Sequence, residues 1–255
     1  MRQSSGSSAA TSVGKAPAAS GDLIISARDL RFRWPAGDCD TIAIGKLEIR
    51  AGERVFIEGP SGSGKTTLLN LLAAVLQADA GDLTVLGHDL TRIASTRRDQ
   101  FRSDHIGFVF QSFNLLPYLS LIDNVLLACR FSQERRARIV ARGTTPAAEA
   151  ARLLARLGLD DPAMAGRGVH QLSTGQQQRV AVARALIGSP ELVICDEPTS
   201  ALDTAAQGAF LNLLEAEIRD AGATLVFVSH DRSLAGRFDR SIDLAAINHA
   251  AGDGL

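Results

Sequence analysis

Gly59-Pro60-Ser61-Gly62-Ser63-Gly64-Lys65-Thr66 fits the pattern G-x-x-x-x-G-K-[ST]. Glycines let the backbone wrap a phosphate chain so that successive N–H groups point inward at the oxygens. Lys65 brings a positive charge with the reach of the β- and γ-phosphates. The Thr66 hydroxyl is a hard oxygen ligand of the kind Mg²⁺ takes. Before the loop, Arg54–Glu58 reads as a strand; after it, Thr66–Ala74 reads as a helix whose N-terminus adds an anion site. Gly59, Pro60, Ser61, Gly62, Ser63, Gly64, Lys65, Thr66 and Thr67 are therefore the expected contacts to a bound nucleoside triphosphate. The loop names the ligand class and leaves its use open.

The chain has 255 residues, enough for one large domain with a subdomain. Its 27 Lys and Arg residues nearly balance 28 Asp and Glu, so overall charge favours neither nucleic acid nor an anionic membrane. Cys39, Cys129 and Cys195 show no metal-ligand spacing and fit a reducing compartment. Residues 1–21 are rich in Ser, Ala and Gly, lack the apolar core of a signal peptide, and read as a disordered tail. No run approaches the roughly eighteen apolar residues that cross a bilayer, so a membrane role would have to come through a partner.

Apolar strands are expected at Leu23–Ala27, Ile42–Ile49, Leu83–Leu86 and Ile106–Phe110, with a charged helix from about Ser95 to Ser103. Between about Leu119 and Leu159 the pattern turns helical, with Pro146 in the first turn of one helix. Leu192–Cys195 and Ala223–Val228 are short, continuous apolar runs, as in strands buried on both faces of a parallel sheet. The expected architecture is α/β: a P-loop (RecA-like) core with an antiparallel β subdomain and an inserted helical subdomain at about 112–175, within a domain spanning 22–255.

Leu192-Val193-Ile194-Cys195 leads directly into Asp196-Glu197. Successive strand side chains diverge, so the two acids need not share a task. Asp196 would meet the metal held by Thr66, and Glu197 would orient and polarise an attacking water.

With those acids in place the chain resembles the ATPase subunits of ATP-binding-cassette (ABC) transporters, from about Leu23 to Leu244. Gln111, after the strand Ile106–Phe110, is similar to the family's Q-loop glutamine. Leu172-Ser173-Thr174-Gly175-Gln176 resembles the signature motif, usually L-S-G-G-Q, with a helix beginning near Gln176. Ser200-Ala201-Leu202-Asp203 is similar to the D-loop, and His230 to the switch histidine. Trp34 stands where the family sets an aromatic ring against adenine.

The resemblance implies Glu197, His230 and Lys65 as catalytic residues, and Thr66, Gln111 and Asp196 as metal ligands. Trp34, Gln111, Ser173, Gly175, Gln176 and Asp203 would join the loop in binding nucleotide. It also implies ATP and Mg²⁺ as ligands. The partners implied are a second copy of the subunit in a head-to-tail, ATP-sandwiching dimer and an integral membrane permease, with no nucleic acid. Thr174 departs from the usual glycine and restricts the backbone there, while the donors the chemistry asks for, Ser173 and Gly175, are present.

The segment Ile106–Pro117 with Leu121–Val125 is similar to lipoprotein-release and macrolide-export ATPases, which pair with FtsX-like permeases. That implies a place on the cytoplasmic face of the inner membrane. Phe113, Leu115, Leu116 and Leu119 could form a groove for a partner's helix, or simply pack the helical region. Gln133–Arg142 is a basic helix, read as a solvated face or one that approaches lipid headgroups. A soluble ABC ATPase acting on DNA, ribosomes or protein complexes is the alternative, although neither a long coiled-coil insertion nor a second cassette is present. A small-molecule kinase would leave Ser173–Gln176 and His230 without a role.

Overall fold

The computed structural model describes residues 22–161, 168–200 and 202–250. The expected tail at residues 1–21, part of the helical region at 162–167, and Ala201 of the expected D-loop lie outside these residues. The strands are β1 (Leu23–Phe32), β2 (Ile42–Arg50), β3 (Arg54–Glu58), β4 (Ala80–Val85), β5 (His88–Asp89), β6 (Ile106–Val109), β7 (Leu192–Asp196), β8 (Thr224–Val228) and β9 (Arg240–Asp243). The helices are α1 (Lys65–Leu72), α2 (Ser95–His105), α3 (Leu121–Phe131), α4 (Gln133–Ala141), α5 (Pro146–Arg156), α6 (Thr174–Leu186), α7 (Thr204–Ala221) and the short α8 (Leu244–Ile247).

Two sheets organise these elements. One is antiparallel in the order β2-β1-β4-β5, and the other parallel in the order β6-β7-β8-β3-β9. β1 runs past the expected Ala27 because it pairs with β2 on one side and β4 on the other. The apolar runs of β7 and β8 are fully buried, as continuous hydrophobicity requires when both faces of a sheet are covered.

Alternation divides the core between those faces. Val193, Cys195, Leu225 and Phe227 join Phe56 and the residues of α3, α5, α6 and α7. Ile194, Val226 and Val228 join Val55, Ile57, the apolar side of α1 and the antiparallel sheet. The rings of Phe56 and Phe227 stack at 6.3 Å, and Phe238 tilts against both at 5.2 and 5.1 Å.

The basic helix α4 differs from its expected solvated or lipid-facing role. Arg135 is 2% exposed and lies in the interior. Its guanidinium donates to the carbonyls of Ser103 (2.7 Å), Ile106 (2.7 Å), Ala185 (3.1 Å) and Ile187 (2.9 Å). Burial pushes its pKa down to about 10, which leaves it charged at neutral pH. Gly188, at φ 73°, lets the backbone pass, since a Cβ there would lie 2.6 Å from the Arg135 Cβ. Arg138 pairs with Glu191 at 2.8 Å, and Arg142 donates to Ser189 at 2.6 Å. Positive charges that look like a surface feature in sequence thus pin α4 to the ends of α2 and α6.

An arginine with this many carbonyl partners leaves several buried acceptors unpaired when removed, at about 1–3 kcal/mol for each that cannot relax. Arg135→Met should lower unfolding free energy by about 3 kcal/mol or more, whereas Arg136→Met, on the exposed side of the same helix, should change it by less than about 0.5 kcal/mol. Urea titration followed by circular dichroism measures both; similar midpoints for the two variants would contradict this account of α4.

Candidate active site

The pairing register of the parallel sheet decides where the reactive groups stand. Val228 lies opposite both Asp196 of β7 and Ile57 of β3, so these three strands end together. The residues that follow are the phosphate loop after β3, Glu197 after β7, and Ser229-His230 after β8. Chemistry spread across 172 positions of sequence is thereby gathered at one sheet edge.

The loop wraps as its sequence requires. Gly64 caps α1 in the left-handed region at φ 92°, and a Cβ there would meet Ile42 Cδ1 at 2.9 Å and the Thr41 carbonyl at 3.0 Å. Lys65 is 8% exposed and donates to the Gly59 and Pro60 carbonyls at 2.9 and 2.8 Å, folding its ammonium over the loop. The buried Ser63 hydroxyl has no protein partner. A cradle with a buried cation and an orphaned hydroxyl fits a polyanionic ligand.

Asp196 is 6% exposed, and burial raises its pKa above the usual carboxylate range, with Glu197 adding repulsion. A hydrogen bond with Thr66 and the charge of Lys65 act in the opposite direction. A buried carboxylate beside a hydroxyl is a hard-oxygen pair suited to Mg²⁺. The fold thus brings Thr66 and Asp196 within hydrogen-bond distance of each other.

Glu197 sits in the left-handed region at φ 45°, where a residue with a side chain is strained, and its N–H donates to the Val228 carbonyl at 3.0 Å. Its carboxylate lies 3.2 Å from His230 Nδ1, which sets the proton on that nitrogen when the pair is hydrogen-bonded. His230 itself is exposed.

The other expected site residues come from further elements, and β6, paired with β7 as far as Val109 opposite Cys195, brings Gln111 out at the same sheet edge. Trp34 is 45% exposed and packs edge-on against Phe32, with ring centroids 5.2 Å apart. Gln111 is exposed just past β6, and Asp203 caps α7 by accepting from Ala206 N at 2.8 Å. Ser173, Gly175 and Gln176 form the start of α6, which begins at Thr174 rather than near Gln176. The reason is a capping box: Ser173 Oγ accepts from Gln176 N at 3.3 Å, and Gln176 Oε1 accepts from Ser173 N at 2.9 Å. Thr174 is the first residue of α6, so the threonine sits in helical backbone.

Two residues of α6 gain a role that sequence reading missed. Gln178, fully buried, donates to the carbonyl of Pro198, the residue after Glu197. Arg184 donates to the carbonyls of Phe113 and Asn114 at 2.5 and 2.6 Å, and both of these residues have positive φ. Phe113 is correspondingly buried rather than part of an open groove, while Leu115, Leu116 and Leu119 are half-buried and Tyr118 and Phe131 are 78% and 70% exposed. A polar residue inside an otherwise apolar helix face was the available signal for Gln178.

A phosphate loop, a buried metal-type carboxylate and a carboxylate–histidine pair at one sheet edge define a P-loop nucleotide hydrolase. A family model described as ABC transporter matches residues 44–200. A lipoprotein-releasing system ATP-binding protein, LolD 2 of Rhodospirillum rubrum, is 38% identical over 87% of this chain and 93% of its own length. The macrolide export ATP-binding/permease protein MacB of Rhodopseudomonas palustris is 38% identical over 86% of this chain, which spans only 32% of that longer protein. Among solved structures, the ATP-binding cassette MJ0796, as a post-hydrolysis dimer bound to ADP and Pi, matches with a TM-score of 0.75 at 31% identity, covering 87% of this chain and 95% of that one. The chain belongs to the ABC transporter family and is one of its ATPase cassettes.

Gln178 offers a test of how Glu197 is held. Gln178→Met keeps the volume but frees the Pro198 carbonyl, so the strained turn at Glu197 should loosen. We expect kcat for ATP hydrolysis to fall about tenfold or more with KM nearly unchanged, because the phosphate loop is untouched. A raised KM at unchanged kcat would show that the bond serves something other than Glu197.

Proposed function

We propose that this ATPase energises a membrane transporter as a nucleotide-driven dimer. The pairing of Glu197 with His230 beside the phosphate loop supports hydrolysis most directly. The loop N–H groups and Lys65 would hold the β- and γ-phosphates, and Trp34 would pack against the adenine. Glu197 orients a water and accepts its proton as the water oxygen bonds to the γ-phosphorus. The bond from that phosphorus to the β–γ bridging oxygen breaks, leaving ADP and phosphate. His230 donates from Nδ1 to the carboxylate and, with its ring protonated, offers Nε2–H to the γ-phosphate. Thr66, Asp196 and Gln111 are the residues that would hold Mg²⁺, which when bound neutralises phosphate charge.

The dimer reading is supported by a glycine the chain does not need for itself. Gly175 is helical, and among the described residues a Cβ there would meet only Leu202 Cδ2, at an ordinary 3.8 Å. Its bare backbone edge, beside the exposed Ser173 at the N-terminus of α6, suits close approach by an anion held on another molecule. A second copy would present ATP there, with Asp203 at the shared surface. MJ0796 is itself described as a dimer.

No helix among the described residues is long and apolar enough to cross a membrane. The permease contact is proposed at the half-buried Leu115, Leu116 and Leu119 with exposed Tyr118, which follow Gln111 in the chain. An FtsX-like permease is the partner favoured by likeness to LolD 2 and MacB, which would hold this subunit at the cytoplasmic face of the inner membrane.

Glu197→Gln retains the bond to His230 but removes the proton acceptor. It should cut kcat by at least about 100-fold and accumulate an ATP-bound dimer in size-exclusion chromatography. Normal turnover in this variant would remove Glu197 from the mechanism. Recovery of the wild-type protein only as a free species from detergent-solubilised membranes would favour the soluble ABC alternative.

A further inference from the structure

Asn248 lies outside every motif of the sequence reading, at the end of α8, and meets the outer face of the phosphate loop. Its Nδ2 donates to the carbonyl of Ser63 at 3.1 Å and to that of Thr41 at 2.9 Å. Its Oδ1 accepts from Ala43 N at 2.7 Å and Ala250 N at 3.3 Å. These partners fix the amide's orientation, because a flipped group would set its NH₂ against two N–H donors and its oxygen against two carbonyls. The backbone nearby is also tied down, with His249 N donating to the Ala43 carbonyl at 2.9 Å.

The consequence follows from peptide geometry. The Ser63–Gly64 bond is trans, so its C=O and N–H point in opposite directions across one plane. With the Ser63 carbonyl held outward on Asn248, the Gly64 N–H is aimed away from Asn248 and into the loop. The space behind Gly64 is closed by the same group of residues, Thr41, Ile42 and Asn248. Thr41 belongs to the segment between Trp34 and β2, so one carboxamide joins the adenine side of the site to the phosphate side.

We propose that Asn248 is a positioning residue for nucleotide binding, holding the Ser63–Gly64 peptide with its N–H turned to the phosphates and anchoring the Trp34–Thr41 segment to the same loop. The inference rests on the reading of Gly59–Thr66 as the phosphate site. Asn248→Asp keeps the acceptor for Ala43 and loses both donors; Asn248→Ala loses them without adding charge. Titration calorimetry with Mg²⁺-ADP and with Mg²⁺-pyrophosphate reads the phosphate contribution with and without adenine.

Both variants should bind each ligand about tenfold more weakly, the size of one lost hydrogen bond. Trp34→Ala should weaken ADP alone. Arg135→Met is the stability control, since its guanidinium donates to the carbonyl of Ile106, the first residue of β6, at the end of the parallel sheet away from the loop. It should lower the melting temperature and leave pyrophosphate affinity intact. If Arg135→Met weakens pyrophosphate in step with its stability loss, or if the Asn248 variants bind like wild type, the positioning role is wrong. If wild type binds neither ligand, the phosphate-loop reading itself fails, which is a separate result.

Discussion

The alignment of β3, β8 and β7 at one level is the constraint on which the site depends. Each strand contributes one chemical part, and a parallel sheet keeps those parts in step only while Ile57, Val228 and Asp196 remain opposite one another. A slip of one residue would turn every inward side chain to the other face. Burial on both faces prevents it, since Val226 and Val228 pack on one side and Leu225 and Phe227 on the other. The hydrophobic core thus sets the catalytic geometry, and the polar groups are adjustments made at its rim.

One of those adjustments is the strain at Glu197. A left-handed glutamate costs on the order of 1–3 kcal/mol unless its surroundings hold it. The Val228 carbonyl fixes its N–H, and Gln178 holds the carbonyl of Pro198, the next residue. Gln178 sits about 7.5 Å along α6 from Ser173, taking 1.5 Å per residue, and Arg184 lies further down on the same rod. A single helix therefore reaches from the proposed ATP contact of a partner copy to the Glu197 turn and to the Phe113–Asn114 turn beside Gln111. A displacement of its N-terminus would be felt at both places at once, since a packed helix moves as a body.

What the sequence made legible was the chemistry written in contiguous residues. The Gly59–Thr66 loop, Asp196-Glu197 and the signature run each contain their own explanation within a few positions, and the apolar runs of β7 and β8 state their burial directly. Element edges were less legible: α6 starts earlier than expected because capping by Ser173, a tertiary-independent but geometric event, decides it. The basic helix α4 misled because charge pattern cannot reveal that backbone carbonyls from α2, β6 and the end of α6 converge on Arg135. Asn248 was invisible for the same reason, standing 185 residues from the Ser63 carbonyl it holds.

These hidden residues share a kind of partner. Gln178, Arg184, Arg135 and Asn248 all donate to backbone carbonyls rather than to side chains. A carbonyl acceptor exists at nearly every position, so nothing in the partner's sequence identifies it. Holding a carbonyl also fixes the whole peptide plane, including the N–H on its far side. At Ser63–Gly64 that far side is the N–H proposed to face the phosphates, and at Pro198 the held carbonyl belongs to the residue directly after Glu197. The named motifs of the cassette supply the atoms that would touch ATP, and a set of long-range donors to their backbones keeps those atoms aimed.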